Sequence, residues 1–321
     1  MDLKSETIER LKKLDEKFQA MGQDMNSYLD GLLHADYLTY WDYIHLDTLL
    51  SLQTPKTSFP DEQIFIMYHQ ITELYFRLCM VEFEQLCEKS PMDTAFFISR
   101  LGRINRYFEA LITSFDIMVD GMDVAQFLKF RMSLLPASGF QSGQYRMIEI
   151  CSTNFVNLIS PQHAKNYSGV VTDSMIESMY EHIYWKAGAT ELASGKKTLT
   201  LEQFEKKYSG AFINLARKFR KKNLNELYHS LPEADQKKEE LIHALKQLDV
   251  SVNINWKLCH YRSAVRYLQK DPEDIKATGG TNWQKYLPPR FQKLCFFPEL
   301  WTKDDMDNWG KNWVKKNVFN L

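Results

Sequence analysis

The sequence predicts an all-α protein, built as a multi-helix bundle, and three observations support this fold class. Only 13 Gly and 10 Pro interrupt the 321 residues. Between them, apolar residues recur at three- and four-residue spacing, which is the period of one face of an α-helix. Several predicted helices also begin with residues typical of that position: Asp93, Asp173 and the pair Pro232-Glu233. Alternating patterns that would indicate strands have little support.

The predicted helices cover most of the chain and alternate with short breaks that contain proline or glycine. In chain order they span residues 5–21, 42–52, 62–88, 93–119, 123–133, 143–155, 173–185, 201–225 and 233–268. We expect one domain over residues 1–321, with a charged helical insertion at about residues 196–246.

Composition limits the classes of function. Apolar residues make up 44% of the chain and aromatic residues 13%, which is enough for a substantial core. Lys and Arg total 40 against 41 for Asp and Glu, so no net positive charge attracts nucleic acid or an anionic membrane.

Cysteine usage and the N-terminus bear on the compartment. The five cysteines are odd in number and show no CxxC spacing, which argues against a disulfide framework and a structural zinc site. Residues 1–13 lack the apolar segment of a signal peptide, and no stretch reaches the ~18 to 20 apolar residues of a membrane span. We expect a cytoplasmic protein.

His69 is the first candidate for chemistry. Together with Phe65, Thr72 and Phe76 it forms one continuous stripe on the predicted helix 62–88. Such a histidine is either a core residue that donates to a carbonyl or a ligand or catalytic group.

His260 is the second candidate, late in the predicted helix 233–268. Trp256 lies one turn before it, and Ser263 and Ala264 lie one turn after it. The small residues leave room for a flat macrocycle whose iron the imidazole could bind, although they also suit ordinary close packing of helices.

Arg131 and Thr278 are candidates for substrate contacts. Arg131 follows Phe127 and Phe130, so its guanidinium could clamp a carboxylate with two hydrogen bonds, or form a salt bridge to another helix. Thr278 precedes Gly279-Gly280, which allow a close backbone approach to a ligand or a plain turn. The sequence contains no GxSxG, HExxH or kinase motif, so hydrolysis and phosphoryl transfer have little support.

Four segments of the chain together resemble successive motifs of the tryptophan 2,3-dioxygenase family, and they occur in the order that this family has. The segments are residues 40–46 (YWDYIHL), 61–70 (DEQIFIMYHQ), 138–142 (SGFQS), and 260–266 with the loop 278–287 that follows. The resemblance extends from about Tyr37 to Trp301.

The resemblance implies an all-helical enzyme that uses haem b, ferrous when active, and O2 to cleave the C2–C3 bond of the L-tryptophan indole ring. The product would be N-formyl-L-kynurenine, in the kynurenine pathway of tryptophan catabolism. A homotetramer is also implied.

Site residues follow from the same resemblance. They are His260 as the proximal iron ligand, His69 as the distal histidine that contacts the indole N–H, Phe65 and Phe127 as walls of the indole pocket, Arg131 as the carboxylate partner, Thr278 near the substrate ammonium and carboxylate, and Tyr40 and Tyr43 reaching the pocket from a neighbouring subunit. Ala264 stands four residues after His260, so the HxxxC pattern of covalently attached haem is absent.

Two other functions remain open at the level of sequence. A related haem monooxygenase or peroxygenase could act on another indole or phenol substrate. A helical interaction protein without haem would share the fold but show no haem absorbance.

Overall fold

A computed structural model describes residues 3–135, 139–167, 171–190, 196–269 and 293–311. Helices dominate these residues, which confirms the predicted all-α class. Outside the helices, the described residues contain two isolated β-bridges, Ile159 with Ile183 and Thr190 with Lys197. The α-helices, numbered along the described residues, are α1 Ser5–Ala20, α2 Met25–Leu33, α3 Tyr40–Tyr43, α4 Leu46–Leu50, α5 Pro60–Glu88, α6 Thr94–Ser114, α7 Asp116–Val119, α8 Val124–Phe130, α9 Gly143–Ser152, α10 Pro161–Ala164, α11 Ile176–Glu181, α12 Leu199–Phe219, α13 Leu224–Ser230, α14 Glu233–Gln236, α15 Glu239–Val250, α16 Trp256–Leu268 and α17 Lys303–Asp307.

The chain forms two compact units, Met1–Thr54 and Pro55–Leu321. In the first unit α1 and α2 pack together, and the rings of Phe18 and Tyr28 lie 4.5 Å apart. Helix α2 was not predicted, although Asp24 caps it by accepting hydrogen bonds from two backbone N–H groups. A nine-residue helix offers too few periodic positions to stand out from the sequence.

The core of the second unit is organised around α5 and α6. Phe76 and Phe83 on α5, and Leu101 and Phe108 on α6, are almost fully buried. Helix α9 packs against α5, and α15 packs against α6. The sequence explains the start of α5, since Pro60 occupies the first turn and Asp61 and Glu62 place negative charge at the positive end of the helix dipole.

The long predicted helix 233–268 is interrupted twice. It consists of α14, α15, a π-helical turn at Ser251–Asn255, and α16. The buried Asp249 carboxylate, at the start of the widened turn, accepts hydrogen bonds from the Asn253 side chain (2.9 Å) and from the backbone N–H of Phe296 (2.7 Å). Widened turns of this kind often occur next to functional sites, and this one directly precedes the helix that carries His260.

Other predicted boundaries also shift. The predicted helix 93–119 ends at Ser114, and a short helix follows from Asp116. The predicted helix 123–133 is α-helical as far as Phe130 and continues as a 3-10 turn from Arg131. Asp93 caps α6 as predicted, whereas Asp173 begins a 3-10 turn and is not the cap. The predicted helix 201–225 divides into α12 and α13, and 173–185 divides into α11 and flanking 3-10 turns.

Helix α12 lies within the predicted insertion at residues 196–246. It is not wholly exposed, because Phe204, Phe212 and Phe219 on one face are buried and the helix packs against α9. This helix therefore contributes to the core. All five cysteines are free and buried. Among the described residues, no helix combines the length and apolar character needed to cross a bilayer.

Candidate active site

His69 lies in the middle of α5 with its imidazole fixed by the helix itself. Its Nδ1 is 2.7 Å from the carbonyl oxygen of Phe65, one turn earlier. When Nδ1–H donates to this carbonyl, the lone pair remains on Nε2. Burial lowers the pKa of His69 more than the Phe65 carbonyl and Glu73 raise it. The imidazole is therefore a neutral group with a free acceptor at Nε2.

His260 has the same arrangement on α16. Its Nδ1 is 2.9 Å from the carbonyl oxygen of Trp256, again one turn earlier. Burial lowers the pKa of His260 to about 4, although the Trp256 carbonyl opposes this shift. A neutral imidazole with a free Nε2 is the form that binds a metal ion.

The two imidazoles lie close enough to affect each other electrostatically. A positive charge on His69 would disfavour a second positive charge on His260, and this repulsion lowers the pKa of His260 further. Both side chains retain partial accessibility, even though protein removes enough water to lower both pKa values. Partial accessibility combined with desolvation is what we expect of side chains that line a recess.

Aromatic rings form one wall beside His69. The Phe65 ring lies 4.1 Å from the imidazole and 6.3 Å from the Phe127 ring, measured between centroids. Phe127 in turn lies 4.6 Å from Tyr267, two turns after His260 on α16. The structure therefore brings three of the predicted residues together and links them to the helix of the second histidine.

Arg131 follows this wall at the end of α8. It is the first residue of the 3-10 turn Arg131–Leu134, and only 4% of it is exposed. Burial lowers the pKa of its guanidinium, which still carries a charge at neutral pH. A buried guanidinium is suited to binding the carboxylate of a ligand.

Asp61 has a positioning role that the sequence did not reveal. Its carboxylate accepts a hydrogen bond of 2.6 Å from the backbone N–H of Asp123, at the start of α8. The side chain of Gln126 lies close to the Asp61 backbone N–H, at 3.4 Å. These contacts fix the helix that carries Phe127 against the helix that carries His69. The sequence suggested only a favourable interaction with the helix dipole, because no local pattern marks a partner 62 residues away.

Phe115 was also missed. Its ring lies 4.5 Å from the imidazole of His260 and 5.8 Å from the ring of Tyr68, the residue before His69. It therefore packs between the helices of the two histidines. Phe115 follows the end of α6, so it belongs to no apolar stripe of α5 or α16. The sequence therefore did not indicate that it contacts the histidines.

The contacts described above do not include three of the predicted residues. Tyr40 and Tyr43 lie on α3 in the first unit, where 71% and 75% of them are exposed. Thr278 lies outside the described residues, as do the flanking glycines of its loop.

The shifted pKa of His260 predicts a specific loss of stability in acid. Between pH 6.5 and about 4 the unfolded chain binds a proton that the folded imidazole does not. The free energy of unfolding of the haem-free protein should therefore fall through this window, by up to about 3 kcal/mol from this group. Urea unfolding of His260→Leu should show a correspondingly smaller fall. The exposed His243 provides the control, since His243→Leu should follow the wild type; parallel curves for His260→Leu and the wild type would contradict the assignment.

Comparison with known proteins places these residues in a family. A sequence profile described as tryptophan 2,3-dioxygenase matches residues 31–254, a range that includes His69 and Arg131 and ends before His260. The tryptophan 2,3-dioxygenase of Ruegeria sp. (strain TM1040) is 29% identical over 277 residues, which cover 84% of this chain and 92% of that protein. The tryptophan 2,3-dioxygenase of Herpetosiphon aurantiacus is 29% identical over 268 residues, which cover 82% of this chain and 96% of that protein. That of Bacillus cereus (strain ZK / E33L) is 38% identical over 123 residues, or 36% of this chain and 43% of that protein. With the match extending over more than half of its length, this chain belongs to the tryptophan 2,3-dioxygenase family.

Proposed function

We propose that this protein is a haem-dependent dioxygenase that cleaves the C2–C3 bond of the indole ring of L-tryptophan with O2, giving N-formyl-L-kynurenine. The observation that carries the proposal is the pair of neutral imidazoles, His69 and His260, each held through Nδ1 by its own helix and each with Nε2 free. Membership of the family supports the same substrate and reaction.

The residues present fit a haem. His260 would hold the iron through Nε2, because its Nδ1 is engaged by Trp256 and its low pKa keeps it unprotonated at neutral pH. On the next turn of α16, Ser263 and Ala264 are half-buried and have small side chains, which suits the close approach of a flat macrocycle. Bound there, haem would supply the iron that activates dioxygen for transfer to the indole.

His69 and Phe65 would bind the indole ring. The free Nε2 of His69 accepts a hydrogen bond from the indole N–H, and the Phe65 ring lies beside the imidazole to pack against the planar substrate. His69 orients the substrate and need not remove a proton, since an indole N–H is a far weaker acid than imidazolium. Phe127 would close the same apolar wall.

The substrate's polar end would be held by Arg131. A guanidinium can donate two parallel hydrogen bonds to a carboxylate, and burial strengthens this interaction because water is excluded. Thr278 would contact the ammonium and carboxylate, as the family resemblance implies.

We further propose a cytoplasmic homotetramer in which Tyr40 and Tyr43 contribute to a neighbouring subunit's site. Their high exposure in the single chain supports this assignment, since large aromatic side chains on a surface favour contact with a partner.

Replacement of Arg131 tests substrate binding. Arg131→Leu should raise the Kd for L-tryptophan about 10- to 150-fold, equivalent to the ~1.5 to 3 kcal/mol typical of charged hydrogen bonds. Equilibrium titration of the haem-loaded protein measures it. Arg106→Leu, at an exposed position of α6, is the matched control and should bind like the wild type. Unchanged affinity in Arg131→Leu would remove this residue from the site.

Isotope labelling distinguishes dioxygenation from the alternative, a haem monooxygenase or peroxygenase acting on another indole or phenol. Turnover of L-tryptophan under ¹⁸O₂ should place two labelled atoms in the product, which mass spectrometry resolves. A product with one labelled atom would favour the alternative, and no product with an intact haem spectrum would exclude tryptophan as the substrate.

A further inference from the structure

A buried polar cluster lies on the side of α16 that faces α9. Its centre is Glu149, whose side chain is fully buried and accepts hydrogen bonds from Nη1 of Arg146 (3.0 Å) and from the hydroxyl of Tyr184. We call Arg146, Glu149, Tyr184, Trp185 and Lys257 the α9–α16 cluster. None of these residues takes part in the function proposed above.

Three N–H donors of this cluster have no hydrogen-bond acceptor among the described residues. They are Nζ of Lys257, Nε1 of Trp185 and Nε of Arg146, and all three atoms are buried. Lys257 and Trp185 are themselves only 8% and 2% exposed. Buried donors without a partner are rare in folded proteins, because each loses its bonds to water without replacement.

The side chains of Lys257 and Arg146 lie over the same aromatic ring, and Trp185 is the next residue after that ring in the chain. Nζ of Lys257 lies 5.2 Å from the centre of the Tyr184 ring, and the guanidinium carbon of Arg146 lies 5.8 Å from the same point. That carbon is also 5.6 Å from the centre of the Trp185 ring. The donors therefore belong to one small region of the core.

Ion pairing is also incomplete in this region. Glu149 pairs with Arg146, whereas no carboxylate of the described residues lies within ion-pair distance of Lys257. Burial lowers the pKa of Lys257 to about 8, with Arg146 adding to the shift, while Glu149 and Asp249 oppose it. At neutral pH most Lys257 side chains still carry a charge, without an ion-pair partner among the described residues.

We propose that the α9–α16 cluster holds a small monovalent anion, such as chloride, within the core. An anion can accept hydrogen bonds from such donors and pair with the ammonium of Lys257, whereas a water molecule adds donors of its own and no charge. Because Lys257 and Trp185 are almost fully buried, we expect a small ion such as a halide.

Bromide provides a direct test, because it replaces chloride and is located by its anomalous scattering. Crystals of the full chain grown in sodium bromide should show an anomalous peak within hydrogen-bond distance of Nζ of Lys257. A water molecule alone at this position would overturn the proposal. So would a protein group that accepts hydrogen bonds from the three donors.

A solution experiment tests the same site through stability. Replacing sodium gluconate by sodium chloride at constant ionic strength should raise the Tm of the wild type by about 2 °C or more, because only the folded protein offers the site. Lys257→Met should lose this response, whereas Lys222→Met, at an exposed position, should keep it. An equal chloride response in Lys257→Met would refute the assignment. If that variant fails to fold, the bromide map of the wild type decides.

Discussion

The candidate site depends on how two helices hold their own histidines. In α5 and in α16, a carbonyl one turn earlier engages Nδ1 of the imidazole, at 2.7 Å for His69 and 2.9 Å for His260. This fixes the tautomer and the direction of each ring without any help from distant residues. Burial then keeps both rings neutral. Under the proposed function, the same geometry would give an iron ligand on α16 and a hydrogen-bond acceptor for the substrate on α5.

The spacing of the two helices comes from side chains between them. Phe115 packs against His260 and against Tyr68, the neighbour of His69. Phe127 links Phe65 on α5 to Tyr267 on α16. The hydrogen bond from the Asp123 backbone to Asp61 sets the start of α8, and through α8 the position of the buried Arg131. The arrangement of side chains around the two histidines thus depends on long-range packing, and a change at Asp61 should disturb it without touching either histidine.

How much the sequence could predict follows from the range of each interaction. The all-α class, the stripe through Phe65 and His69, and the proximity of Phe127 to Arg131 depend on helical period alone, so they were available from the sequence. The family resemblance supplied the roles of His69, His260 and Arg131, which local pattern left open. The π-helical turn at Ser251–Asn255 was not predictable, because it accompanies the burial of Asp249 among groups some 47 residues further along. The roles of Phe115, Asp61 and the α9–α16 cluster were not predicted for the same reason. Each depends on contacts between segments far apart in the chain.

The ferrous absorption spectrum of the haem-loaded protein tests the central assignment most directly. His260→Ala should lose the histidine-ligated haem spectrum, and added imidazole should restore it, because the small ligand can occupy the space left by the side chain. His69→Ala should keep the wild-type ligation, since the proposed role of that ring is to bind the substrate and not the iron. A normal ferrous spectrum in His260→Ala without imidazole, or its loss in His69→Ala alone, would contradict the assignment of the two histidines.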